Sequence, residues 1–235
     1  MSSCLSITTV RAGANGAAPL VYVIDAPEHP FDLATPTQSL CSAVARVSIA
    51  NWNDALTPWP APALRREGPA FGGEAASTLV VLTRELALYE QANSLEPQSR
   101  AILGYSLGGL FALYALCAGK VFDAAASVSG SLWYDDWVEW LERRHGIVAP
   151  NVSTAFAFLS VGTKEKRAAQ PRIKRVEDCT RKTEELLRSK GVATQLEIGP
   201  GSHFQRVNER LARALCALQE PREEQRGALP LIVSK

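Results

Sequence analysis

The sequence predicts an α/β fold in which a mostly parallel central sheet carries helices on both faces. Three observations point there. Short apolar segments recur along the chain between longer helical patterns, the alternation that builds a parallel sheet. Leu20-Val21-Tyr22-Val23-Ile24 is apolar without a break, as in a strand buried on both faces. Gly104-Tyr105-Ser106-Leu107-Gly108-Gly109 stands between Ala101-Ile102-Leu103 and the apolar run Leu110–Cys117, which reads as a strand, a sharp turn and a buried helix.

The elements follow in order. Residues 5–10 alternate and are β-branched, which suits an edge strand, and Gly13, Asn15 and Gly16 make the next turn. The strand at 20–24 ends in the loop Asp25-Ala26-Pro27-Glu28-His29-Pro30, and 44–49 is the next strand. Residues 51–73 are the longest irregular stretch, with Trp52, Trp59, Arg65 and Arg66; a loop of that length is usually functional or mobile. Leu79, Leu82, Leu86 and Tyr89 mark an amphipathic helix over 74–93. After the central turn come a strand at 122–128 and the loop Ser129-Gly130-Ser131-Leu132-Trp133-Tyr134, with Asp135 and Asp136 behind it. A short helix with Trp137 and Trp140 and a strand at 154–161 follow. One helix is predicted to run from Ile173 to Leu187, with Glu177–Arg181 and Asp178–Lys182 pairs on its solvent side. A last strand at 193–198 and a helix using Val207, Leu211, Leu215 and Leu218 close the pattern; the tail from 220 has no assigned place.

No linker divides the 235 residues, so 1–235 is expected to form a single domain. With 46% hydrophobic and 21% charged residues, a sizeable core is available. The net charge is +1 and the basic residues are dispersed, which gives no support for nucleic-acid binding. Cys4, Cys41, Cys117, Cys179 and Cys216 are scattered and odd in number, which favours buried thiols in a reducing compartment over disulfides or a zinc site. No signal-like start and no long apolar span is present. The expectation is a soluble, cytoplasmic protein with no membrane partner, metal or cofactor; its oligomeric state cannot be read from the chain.

The turn carries the chemistry. G-x-S-x-G lifts a serine hydroxyl clear of the sheet at the head of a helix, where the Leu107 N–H and the helix dipole can meet a developing oxyanion. Gly104 and Gly108 are expected where a Cβ would strike neighbouring backbone. A serine that merely caps the helix is the other reading. A serine needs an imidazole base, and the chain has three histidines. His203 follows the last strand and lies after Ser106, as the order Ser…acid…His requires. His145 reads as a solvent-facing end of a charged helix, and His29 precedes the serine and is at best a wall residue. The acid should follow a strand between Ser106 and His203. Glu165 does; Asp135 and Asp136 are the alternatives, and a serine–histidine dyad is a further one.

Those residues resemble a known family. Gly104-Tyr105-Ser106-Leu107-Gly108-Gly109-Leu110-Phe111, Ser129-Gly130-Ser131-Leu132-Trp133, Val161-Gly162-Thr163-Lys164-Glu165 and Gly201-Ser202-His203-Phe204 are similar to the esterase D-like α/β-hydrolases, most of all the enterochelin (enterobactin) trilactone esterase branch. Tyr22-Val23-Ile24-Asp25 and Phe71-Gly72-Gly73 extend the likeness over about residues 20–219. The resemblance implies the α/β-hydrolase fold and a small-molecule ester as substrate, with siderophore-type lactones suggested. Two departures stand out. The family usually opens with more strands, so an N-terminal edge strand is expected to be missing. Where the family often has Asp-Gly and a third N–H donor, this chain has Asp25-Ala26-Pro27, and proline has no N–H. The second oxyanion donor is then expected from Ala26 or Glu28. Thioester cleavage or acyl transfer on the same residues, and a fold that only binds a ligand, are the rival readings. Trp59, Trp133, Tyr105, Arg65 and Arg66 are the expected substrate contacts, since aromatic walls beside guanidinium groups suit a planar anion. The opposing reading has both tryptophans packed inward and both arginines solvated.

Overall fold

The computed structural model describes residues 5–13, 19–28, 30–37, 40, 42–150 and 154–219. His29, Cys4, Cys41 and the tail from 220 lie outside the described residues. Seven strands form one sheet: β1 (Leu5–Arg11), β2 (Leu20–Asp25), β3 (Val44–Ile49), β4 (Arg100–Tyr105), β5 (Ala124–Val128), β6 (Phe156–Gly162) and β7 (Ala193–Gly199). Their order is β1-β3-β2-β4-β5-β6-β7. Every pairing is parallel except β1 with β3, so the antiparallel strand is the predicted edge. This is an α/β-hydrolase sheet with one antiparallel strand at its N-terminal edge.

Eight helices among the described residues connect the strands: α1 (Ala34–Thr37), α2 (Trp52–Ala55), α3 (Ala75–Ala92), α4 (Leu107–Ala118), α5 (Trp137–Arg143), α6 (Pro171–Lys174), α7 (Val176–Ser189) and α8 (Val207–Gln219). The period-2 alternation of each strand divides the core. Tyr22, Ile24, Ile102, Ala125 and Leu159 face the side covered by α3, α4, α5 and α7. Val21, Val23, Leu103, Ala126 and Phe158 face α8, through Leu211, Ala214, Leu215 and Leu218. Helix α4 is buried at all but two of its positions, which explains why its sequence shows no polar face.

Three expectations need correction. The helix predicted from Ile173 to Leu187 is two pieces, because Gln170 caps a separate turn whose first residue is Pro171, and Arg175 lies between that turn and α7. Glu177 does bond Arg181 at 3.2 Å, but Lys182 turns to Glu185 and Glu142 instead of Asp178. Cys117 and Cys179 are buried thiols, whereas Cys216 is exposed on α8.

Candidate active site

The sheet ends its parallel strands at one edge, and the loops after β4, β5, β6 and β7 meet there. Ser106 sits between β4 and α4 with φ 58° and ψ −122°, outside the conformations L-residues favour. The turn is possible because Gly104 has no side chain: a Cβ there would stand 2.1 Å from the Gly108 carbonyl oxygen. Gly108 is less constrained than the sequence suggested, since its Cβ would only touch Ile24 and Trp52 at 3.4 Å. Gly109 is the second tight position, 2.9 Å from Gly130 Cα. The Ser106 carbonyl accepts from Gly109, Leu110 and Ser131, which fixes the turn from both sides.

His203 and Glu165 are brought to this serine from two other loops. His203 Nε2 lies 3.1 Å from Ser106 Oγ, and His203 Nδ1 lies 2.9 Å from Glu165 Oε2. The Glu165 carboxylate also accepts from the Gly162 N–H at 2.7 Å and from Ser129 Oγ at 2.9 Å. Burial alone would raise its pKa, but the hydrogen bond and charge of His203, then Gly162 and Ser129, hold it below the usual carboxylate value. Glu165 is therefore an ionised acceptor that can fix the imidazole with Nδ1 as donor and Nε2 facing the serine.

Asp135 and Asp136 are elsewhere: Asp135 pairs with Arg172 at 2.9 Å and Asp136 precedes α5 in a left-handed conformation. His145 is exposed beyond the end of α5.

Two cavities flank Ser106 and share Ser106, Ser131, Trp133 and Leu64. One, of about 370 Å³, is lined by Leu107, Trp52, Asn53, Arg65 and Phe71. The other, of about 470 Å³, is lined by His203, Lys164, Arg167, Ile173 and Phe204. Trp133 and Arg65 are thus at the site.

Trp59, Arg66 and Tyr105 line neither cavity. Trp59 is held in an aromatic cluster with Tyr134 and Trp140, its Nε1 donating to the Asp135 carbonyl at 2.9 Å. Arg66 faces a shallow hollow formed by residues 65–68. Tyr105 is buried under the base, its ring 4.9 Å from the His203 ring and its hydroxyl donating to the His203 carbonyl.

On the oxyanion side, Leu107 opens α4, so its N–H has no acceptor within the helix. The Ala26 N–H donates to Asp25 Oδ1 at 2.9 Å, and neither Ala26, Pro27 nor Glu28 lines either cavity. The Ala26 N–H is thus taken up by Asp25 in this conformation. The buried hydroxyl of Ser131 does stand close, 3.4 Å from Ser106 Oγ.

Four residues near the site were not singled out from sequence. Trp52 replaces Trp59 as the loop's aromatic wall, which nothing in the alternation of that loop distinguishes. Phe204 is 85% exposed beside His203, an apolar ring left in solvent at the cavity mouth. Arg172 lies over Trp133 at 5.5 Å and Phe71 at 5.9 Å, and bonds the Pro62 carbonyl, tying the 51–73 loop to α6. Arg210 is buried against Glu165, and it did leave a signal: position 210 falls on the apolar stripe Val207, Leu211, Leu215, Leu218, where a charge is out of place. Among the described residues no cluster of His, Cys, Asp and Glu could hold a metal, and no helix is long and apolar enough to cross a membrane.

A family model for esterases, described as "Putative esterase", matches residues 13–215. The uncharacterized protein YbbA of Bacillus subtilis (strain 168) is 32% identical over 142 residues, covering 59% of this chain and 55% of YbbA. The chain thus aligns with about half the length of that curated relative. Among solved structures, an IroE-like serine hydrolase from Shewanella oneidensis superposes with TM-score 0.70 and 20% identity over 92% of this chain and 75% of the other. The siderophore hydrolase EstA from Aspergillus nidulans superposes with TM-score 0.67 and 15% identity over 92% and 94%. At those identities the superpositions establish the α/β-hydrolase fold.

Proposed function

The chain belongs to the esterase family, and from that premise we propose that it is a serine carboxylic-ester hydrolase acting through an acyl-enzyme. One observation carries the reading: the Ser106–His203–Glu165 relay, with contacts of 3.1 and 2.9 Å, sits on a strained turn between two cavities. Ser106 Oγ attacks the ester carbonyl while His203 Nε2 takes its proton. The carbonyl oxygen becomes an oxyanion facing the Leu107 N–H. As the ester C–O bond breaks, the proton on His203 passes to the departing alkoxide, leaving an acylated Ser106. Water, deprotonated by the same imidazole, then releases the acid and restores the serine.

The direction of proton transfer assigns the cavities. The leaving alcohol must lie beside His203, in the cavity with Lys164, Arg167 and Phe204. The acyl half then occupies the side of Leu107, with Trp52, Arg65 and Phe71. Aromatic rings and cations on both sides suit a large, anionic, aromatic ester. A siderophore-type lactone has that chemistry, and two of the solved structures of this fold are described as siderophore hydrolases.

The test is labelling and turnover together. A fluorophosphonate is expected to modify Ser106, and kcat/KM is expected to be higher for a catecholate trilactone than for p-nitrophenyl butyrate. Labelling at another residue would overturn the serine assignment; preference for the neutral ester would leave a carboxylesterase of a different substrate class.

A further inference from the structure

Two loops carry the acid and base of the proposed hydrolase and a third supports the acid through Ser129, and one side chain from outside them touches all three. Arg210 projects from α8 and is only 3% exposed, against 1% for the Glu165 side chain. Its Nη1 lies 3.1 Å from Glu165 Oε1, in the loop after β6, and also donates to Ser129 Oγ, in the loop after β5. Its Nη2 donates to the carbonyls of Ser202 and Gln205, each at 2.6 Å, in the loop after β7. Those two carbonyls bracket His203. The same loop holds Arg206 at φ 57°, a left-handed conformation uncommon for a residue other than glycine.

We propose that Arg210 is a positioning residue of the acid–base pair: it clamps the Glu165 carboxylate to the His203 loop, so that the imidazole is held in line between Glu165 and Ser106. The clamp follows from guanidinium geometry, since a planar fork of N–H groups can reach a carboxylate, a hydroxyl and two carbonyls at once, which an ammonium cannot.

The inference rests on the serine-hydrolase reading, and Ser106→Ala separates the two: retained turnover in that variant would sink the reading itself. With Ser106→Ala inactive, Arg210→Met is expected to lower kcat about 10- to 100-fold with KM little changed, because the acid and base lose their alignment while the cavities keep their lining. Arg210→Lys should recover part of that loss, because a cation remains beside Glu165 but cannot hold both carbonyls. In the Glu165→Gln background, Arg210→Met should cost less than in the wild type, since part of its effect passes through Glu165. Removing both partners also avoids a lone buried charge, so the double variant folds even where Arg210→Met does not. A folded Arg210→Met with unchanged kcat or with its loss in KM alone, a fully active Arg210→Lys, or a fully multiplicative double variant would each overturn the proposal.

Discussion

Asp25 and Glu165 end up on opposite sides of the Ser106 strand, each a buried carboxylate beside an arginine. Their electrostatics diverge. Burial raises the Asp25 pKa, and its partners, the Phe31 N–H, Arg46 and the Ala26 N–H, do not overcome it. Burial pushes Glu165 the same way, yet His203 reverses the outcome. A carboxylate–arginine pair therefore does not by itself decide ionisation. Arg46 is 20% exposed and shares its charge with water, and among the described residues no imidazole bonds Asp25 as His203 bonds Glu165. The use made of the two groups differs accordingly. Asp25 ties down the 26–31 loop and takes up the Ala26 N–H, so it serves structure on the oxyanion side. Glu165 keeps one oxygen for Nδ1 of the base.

The largest effect that would test this division is expected at the serine and the base. Ser106→Ala and His203→Ala should each cost up to roughly a million-fold in kcat, as for a nucleophile and base acting as one unit. Unequal losses, measured on one chromogenic ester, would mean that His203 is not the proton acceptor.

Glu165→Gln should be milder, on the order of 10⁴-fold, because the base remains but loses its orientation and counter-charge. Asp25→Asn should lower kcat far less. If the two variants lost equal activity, the split between a structural and a chemical carboxylate would fail.

Stability separates them with opposite signs. The folded value of Glu165 lies below its unfolded one, so its contribution is present above the ordinary carboxylate range and is lost as pH falls through the folded value. The folded value of Asp25 lies above, so its contribution declines as pH rises through the interval between the two. Melting curves across the acid range should show a shallower acid loss in Glu165→Gln and a steeper one in Asp25→Asn. The differences should be a few degrees, at about 2–4 °C per kcal/mol for a chain of this size. Slopes changing in the same direction would contradict the assignment.

The smallest effect concerns the two arginines of the long loop. Arg65→Ala should weaken kcat/KM for an anionic ester several-fold, with the difference shrinking as salt is added, while Arg66→Ala should not. Equal losses would bring Arg66 to the substrate as well, and no loss in either variant would remove Arg65 from it.

How much of this was legible in the chain depends on the range of the interactions involved. Unbroken apolar strands, the amphipathic pattern of α3 and the glycine turn at 104–109 are local, and the sequence by itself determined the mostly parallel sheet, an edge strand at 5–10 and the serine turn; that the edge strand runs antiparallel was decided by its pairing with β3. Chain order and placement after a strand put His203 and Glu165 first as partners for Ser106, with Asp135 and Asp136 left as alternatives for the acid. Which aromatic of the 51–73 loop faces the cavity is set by contacts across the fold: Trp59 turns to Asp135 and Tyr134, 76 and 75 residues away, leaving Trp52 beside the serine. Whether the Ala26 N–H is free depends on the Asp25 rotamer, which no spacing encodes. Arg210 shows the limit most plainly. Its place on an apolar stripe marked it as anomalous, but only the meeting of the loops after β5, β6 and β7 decided what it binds, because a buried charge is tolerated where the tertiary structure gathers enough acceptors around it.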